Sequence, residues 1–213
     1  ASIVLPRYLA GPEPILQRTL RETALFDGEN VEPWRASGGL WRIGQDDDGG
    51  RVLIGHGAAS RIIPGIENSG AGVSPFAFQV GVDLVGAEAA EVHFGFEGDD
   101  LDRSARWVVR YGVDGLVLGR REAMDAQLDI RRERTMPPRT RDDEGPGYHH
   151  LYVEYQGEYW FAFLDDESEP FAHATANPQA NNRTIQLVAM GGDVHFSDIT
   201  SIELRAKSTE PGL

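Results

Sequence analysis

The chain contains no cysteine among its 213 residues. That excludes disulfides, a thiolate nucleophile and any zinc site built on thiolates. Lysine is nearly absent too: nineteen of the twenty basic residues are arginine, and Lys207 is the exception. Acidic residues outnumber basic ones, 34 against 20, for a formal charge of −14. Nucleic acids and anionic membranes are met by basic surfaces, so neither is expected as a direct partner. No apolar run approaches the roughly 18 residues that cross a bilayer as a helix. Association with a membrane would therefore run through a partner protein. The sequence shows no internal repeat, no low-complexity tract and nothing that marks a second domain.

Present instead is a two-residue period of bulky side chains. In Pro75 to Val85, Phe76, Phe78, Val80, Val82 and Leu84 alternate with Ala77, Gln79, Gly81 and Asp83. The alternation is that of a half-buried strand. Val92, Phe94 and Phe96 repeat it against Glu91, His93 and Glu97, as do Tyr159, Phe161 and Phe163, and then Ile185, Leu187 and Ala189. Ala24 to Phe26 reads as a first short strand. Gln156-Gly157, Asp114-Gly115 and Gly191-Gly192 read as hairpin turns. So does the acidic tip Asp46 to Gly50, between Leu40–Ile43 and Arg51–Ile54. The expected fold is all-β: an antiparallel two-sheet β-sandwich of jelly-roll type. Residues 1–22, broken by Pro6, Pro12 and Pro14, are expected as an N-terminal extension or docking arm, 23–207 as the sandwich, and 208–213 as a tail. The chain starts at Ala1 rather than Met. Removal of a signal peptide after a small residue leaves such a start, which favours a place outside the cytoplasm, periplasmic or secreted.

Two regions suggest binding. If the central strands are neighbours, one sheet carries a polar open face with Gln79, Asp83, His93, Arg106 and Arg110, suited to a sugar or a protein partner. Residues 120–147 read as a long loop rich in arginine, and guanidinium forks suit carboxylates and phosphates. Arg131, Arg132 and Arg134 there, with Tyr8, Leu16 and Leu20 of the arm, are the residues expected to touch other subunits. Trp107 and Trp160 are candidate stacking platforms for a glycan. Glycoside cleavage usually needs two carboxyl groups roughly 5 to 9.5 Å apart. Glu91 and Glu97, flanking His93, are the pair to test for such activity. The acidic run Phe96 to Asp102 resembles the E-x-D-x-x-E strand of family 16 glycoside hydrolases, with Gly98 interrupting it. His149 and His150 fall on opposite faces of one strand and cannot chelate one ion together.

With strands placed, the chain resembles the concanavalin A-like lectin/glucanase sandwiches, and most of all the 3-keto-disaccharide hydrolase domain family of exported bacterial proteins. Leu25-Phe26-Asp27-Gly28-Glu29-Asn30 with Trp34 is similar to that family's opening, and Gly39 to Ile43 to its next strand. His149 or His150 stands where these folds often carry a histidine. Ile185-Gln186-Leu187, Gly191-Gly192 and Val194 to Ile199 are similar to its close. The central NSG motif and the later Glu-x-x-x-Asp pair are not reproduced: Ala87 to Phe94 and Trp107 to Tyr111 stand there instead. The resemblance implies the sandwich fold, a sugar-related role, and a structural Ca²⁺ near Asp27, Glu29, Asn30 and Asp198. Without the acidic pair the expected role is a non-catalytic recognition or accessory module, anchored to a larger assembly. A sugar-processing hydrolase and a pure glycan-binding module are the alternatives.

Overall fold

The computed structural model describes residues 12–15, 17–64, 74–136 and 149–206. Among these there is no helix, and twelve strands account for the regular structure: β1 (Gln17–Ala24), β2 (Arg35–Gln45), β3 (Arg51–Ile62), β4 (Phe76–Asp83), β5 (Ala89–Phe94), β6 (Arg106–Gly112), β7 (Gly115–Arg121), β8 (Asp129–Arg134), β9 (His149–Tyr155), β10 (Tyr159–Leu164), β11 (Ala172–Thr175) and β12 (Thr184–Ala206). Their pairings are all antiparallel. The fold is the expected antiparallel sandwich.

β12 makes two layers out of one continuous sheet. Its first half, residues 184–190, lies between β3 and β5. Its second half leaves β5 and pairs with β4 on one side, and with β3 and then β1 on the other. The change comes at Met190 to Val194, where the register with β3 shifts and Gly191 takes φ +73°. A left-handed backbone there suits glycine and few other residues. The first layer thus runs β11-β10-β9-β4-β12-β1, and the second β8-β7-β6-β5-β12-β3-β2. The expected hairpin at Gly191-Gly192 is therefore a bend within one strand, since the two flanking segments never pair with each other.

The inward residues of both layers form one core. Phe76, Phe78, Val80 and Val82 of β4 meet Val92 and Phe94 of β5, Val109 of β6 and Leu187 of β12. Trp160 sits at its aromatic centre, 4.8 Å from Phe94, 4.9 Å from Tyr155 and 5.7 Å from Phe76, ring centre to ring centre. Such tilted and edge-on rings add to the burial itself. Trp160 is thus a core residue rather than a sugar platform. Trp107 packs against the same core and donates its indole N–H to the Thr175 carbonyl. Phe96 departs from the expected alternation. Gly95 takes φ +61°, and Phe96 is buried outside the main core, beneath the Arg106 guanidinium.

Three other expectations change. The sheet begins at Gln17, so residues 17–22 of the anticipated arm are strand, and Leu25-Phe26 follow β1 rather than form it. The anticipated loop 120–147 contains the end of β7 and all of β8; Arg139 and Arg141 lie outside the described residues. The hairpins at Gln156-Gly157, at Asp114-Gly115 and across the acidic tip form as expected, with Asp46 Oδ1 accepting the Gly50 N–H at 2.6 Å.

Gly39 in β2 has φ +76°, and a Cβ there would collide with the His56 carbonyl, whereas a Cβ on Gly38 would meet nothing within 4 Å. Gly39→Ala should cost about 1–3 kcal/mol in urea unfolding, and Gly38→Ala within about 0.5 kcal/mol. Equal costs would show that the β2–β3 bulge does not impose this backbone.

Candidate functional site

The expected polar face is two faces. β4 and β5 are separated by β12 and lie in different layers, so Gln79 and Asp83 project from the outside of the first sheet. His93, Arg106 and Arg110 project from the outside of the second. Nor is the second face open, because Glu91, His93 and Arg106 are all buried.

Glu91 is the hub of that buried cluster. Its Oε1 accepts from Arg110 Nε at 2.7 Å and from Arg121 Nη2 at 2.7 Å, and its Oε2 faces His93 Nε2 at 2.7 Å. Cross-strand register brings these groups together: Glu91 pairs with Arg110, and His93 with Gln186. Burial opposes ionisation of Glu91, but the bond from His93 and the Arg121 and Arg110 charges outweigh it and hold the pKa at about 2. Burial pushes the His93 imidazole below its ordinary value. It is therefore neutral at pH 7, and the tautomer that suits an ionised Glu91 carries its proton on Nε2. Arg121 also donates to the Met124 and Ala126 carbonyls, fastening residues 122–128 over one end of the cluster.

This arrangement does not suit glycoside cleavage by Glu91 and Glu97. Glu97 is gripped by both terminal nitrogens of Arg120 at 3.0 Å, and that contact lowers its pKa. A general acid must hold a proton near neutral pH, and both carboxyls are kept ionised.

Open space lies on the other face. A groove of about 570 Å³ crosses the outside of the first sheet. Gln79 of β4, His150, Tyr152 and Glu154 of β9, and Phe163 of β10 lie along it, with Asp165 to Ser168 at one side and Pro14 and Ile15 at another. Tyr152 and Phe163 meet edge to face at 5.6 Å. Ile15 is held by a two-way amide clasp: its N–H donates to Gln156 Oε1 at 2.8 Å, and Gln156 Nε2 donates to its carbonyl at 3.0 Å. Gln156 also donates to Glu154 at 2.6 Å. Burial raises the pKa of Glu154, and burial with the Glu154 charge raises that of Tyr152. Of the expected ligand residues only Gln79 lines this groove. Asp83 lies at the far end of β4, where it accepts from the Val85 N–H. Tyr152, Glu154 and Phe163 escaped the sequence reading, although they are alternate outward positions of two paired strands.

His149 and His150 do diverge. His149 Nδ1 faces Asp165 at 2.9 Å and His150 Nε2 faces Asp198 at 3.2 Å. Asp165 and Asp198 both hold left-handed backbones, φ 51° and 47°. The residues implied for Ca²⁺ are occupied separately: Asp27 Oδ1 caps the Glu29 and Asn30 N–H groups, Asn30 caps Glu32, and Asp198 faces His150. Among the described residues no three carboxylates or histidines gather as a metal-ligand set. Of the expected partner contacts, Tyr8 and Leu16 lie outside the described residues. Leu20 is exposed at the β1 bulge. Arg131 and Arg134 are engaged with Asp129 and Glu167, and Arg132 lies on the same exposed strand. A second concavity, about 680 Å³, lies between β8 and residues 166–171.

No family model matches the sequence, and no curated protein matches it. Solved structures do match in fold. A Bacillus subtilis protein of unknown function with a galectin-like fold has TM-score 0.59 at 12% identity, over 92% of this chain and 99% of that one. A carbohydrate binding module from Bacillus subtilis has TM-score 0.54 at 16% identity, over 80% and 95%. A putative glycosyl hydrolase from Parabacteroides distasonis has TM-score 0.52 at 14% identity, over 86% and 94%. At these identities the likeness establishes the fold.

Glu91→Gln removes the buried negative charge that half-buried Arg110 and Arg121 share, and should cost on the order of 3 kcal/mol at pH 7. Because folding lowers the Glu91 pKa, its stabilisation is present above pH 4.5 and is lost as pH falls toward 2. The gap between wild type and Glu91→Gln in urea midpoint should close across that window. A constant gap would show that Glu91 is not the ionised hub.

Proposed function

We propose that the protein is a non-catalytic glycan-binding module that holds a short neutral sugar in the groove across the first sheet. The observation that carries this reading is the groove itself: about 570 Å³, with adjoining Tyr152 and Phe163 rings among amide and carboxyl groups. That volume falls in the range of about 300–1,000 Å³ usual for small-ligand sites. A sugar ring offers one apolar C–H face and a rim of hydroxyls. Aromatic rings cover the first, while Gln79, Ser168 and the carboxylates bond the second. Glu154, Asp165, Asp166 and Glu167 all line this space, which disfavours acidic sugars by like-charge repulsion. The carbohydrate binding module among the structural neighbours supports this use of the scaffold. The sequence resemblance to 3-keto-disaccharide hydrolase domains is read as a common framework rather than common chemistry, because Glu91 and Glu97 are neutralised by arginines.

Calorimetry with neutral oligosaccharides selected from a glycan array tests the reading. Tyr152→Ala and Gln79→Ala should each weaken binding about tenfold, the equivalent of one or two lost contacts, with no turnover in any variant. Absence of neutral-glycan binding, or hydrolysis of the bound sugar, would overturn it.

The same reading places the module outside the cytoplasm as an accessory to a larger assembly, with Leu20 and the exposed strand β8 offered to another subunit. Deleting residues 1–15, which leaves β1 intact, should remove a co-purifying subunit if the arm is the anchor. An unchanged complex would count against that.

A further inference from the structure

Arg106 is a fully buried guanidinium with no carboxylate within ion-pair distance among the described residues. Its partners among the described residues are weak and neutral. Nη1 lies 3.7 Å from the Met124 sulfur and 3.5 Å from Gln186 Oε1, Nη2 donates to the Asp102 carbonyl at 3.2 Å, and the guanidinium lies 5.2 Å over the Phe96 ring. Its Nε has no hydrogen-bond partner among the described residues. Burying a charge without an opposite one is among the costliest things a fold can do. The cluster supplies no ion pair: Glu91 is shared between Arg110 and Arg121, and the Asp102 and Asp100 carboxylates act on Arg106 only through space, so burial still pushes its pKa down.

Arg106 is not the only group left wanting. Among the described residues, Gln186 Nε2 and Arg121 Nε are buried donors without acceptors, and His93 Nδ1 is buried without a partner. Gln186 and His93 are cross-strand neighbours, and Gln186 is also the group nearest Arg106 on that strand. Since His93 gives its proton to the Glu91 side, Nδ1 is a lone pair that requires a donor. The vacancies therefore add up to donors for an anion, plus one acceptor for a hydroxyl. Water would meet the second requirement and leave Arg106 without an ion pair. A bare carboxylate would do the reverse.

We infer that the outside of the second sheet holds a site for a small hydroxy-carboxylate. Its carboxylate pairs with Arg106 and Gln186, and its neighbouring hydroxyl donates to His93 Nδ1. The chemical class includes sugar acids and short hydroxy acids. Entry is past Met124. That side chain is only half-buried, while its backbone is fixed by the N–H to the Asp102 carbonyl at 2.8 Å and by the Arg121 bond to its own carbonyl at 3.1 Å. An unbranched thioether swings aside at little cost, so a rotation of this one side chain uncovers Nη1 without moving the strand. The site is on the opposite face from the groove, and does not depend on it.

The test is calorimetry of the whole protein with D-glucuronate, set against acetate and glycerol as the carboxylate and hydroxyl halves. Glucuronate should bind at least tenfold more tightly than either half. Met124→Ala, which opens the way in, should strengthen binding, while Arg106→Lys, which keeps the charge and loses the fork, should weaken it tenfold or more. His93→Phe should remove the preference for glucuronate over acetate. Gln79→Ala in the groove should change nothing, so a failure here is separable from a failure of the neutral-sugar reading. If Arg106→Lys does not fold, Gln186→Leu carries the same expectation. No binding by the Met124→Ala protein, equal binding of acetate, or glucuronate binding lost in Gln79→Ala would overturn the proposal.

Discussion

One strand belongs to both layers, and the geometry of everything else follows from it. β12 runs for 23 residues, with β3 and β5 as neighbours at one end and β4 and β1 at the other. A continuous strand can change neighbours only where it bends. Gly191 and the shifted register beside it supply that bend. β3 follows it along both halves, so the layers are joined by backbone hydrogen bonds as well as by a common core. Removing unpaired edges between layers in this way also limits the open strand surface available to other chains.

Because the core is filled from both sides by Phe, Val and Leu, polar groups are left to the two outer faces, and the faces solve the problem differently. The second sheet turns its polar residues into a buried network: Glu91 is shared by Arg110 and Arg121, His93 stays neutral, and residues 122–128 close over one end. Such a network is rigid and well defined, and leaving one of its charges uncompensated is costly. The first sheet stays open. Its Glu154 carboxyl is desolvated, its aromatic pair lines the groove, and Ile15 is clasped at the rim by Gln156.

This division bears on chemistry. Bond cleavage at a sugar needs one carboxyl that keeps its proton and another that has lost it. Arginines hold Glu91 and Glu97 in the same ionised state. Glu154 is the opposite case, a buried carboxyl whose pKa is raised and whose neighbours are the neutral donors Gln156 and Tyr152. The fold thus separates a cationic, closed face from an anionic, open one.

Much of this was legible in residue order. Alternation in Pro75–Val85 and Tyr159–Leu164 marked strands, because a pleated backbone sends successive side chains to opposite sides; in the first it also told inward from outward, whereas in the second the core takes Trp160, Ala162 and Leu164 rather than Tyr159, Phe161 and Phe163. Turn chemistry at Gly157 and Gly115 marked two hairpins for the same local reason. Strand neighbours were not legible. Gln79 and His93 both read as outward and polar, yet β12, from a hundred residues further along, separates their strands and puts them on opposite faces. Gly191-Gly192 looked like a turn, since a bend and a hairpin demand the same backbone and differ only in what pairs afterwards. Whether an outward residue meets water was also undecided by sequence: Arg106 and Glu91 are outward from the core but buried, Arg106 against Met124 of the non-periodic segment 122–128 and Glu91 beneath Arg110 and Arg121. Local patterns determine which residues form strands and which of them share a side; only long-range pairing decides which side is buried, which residues share a surface and which of those surfaces stay open.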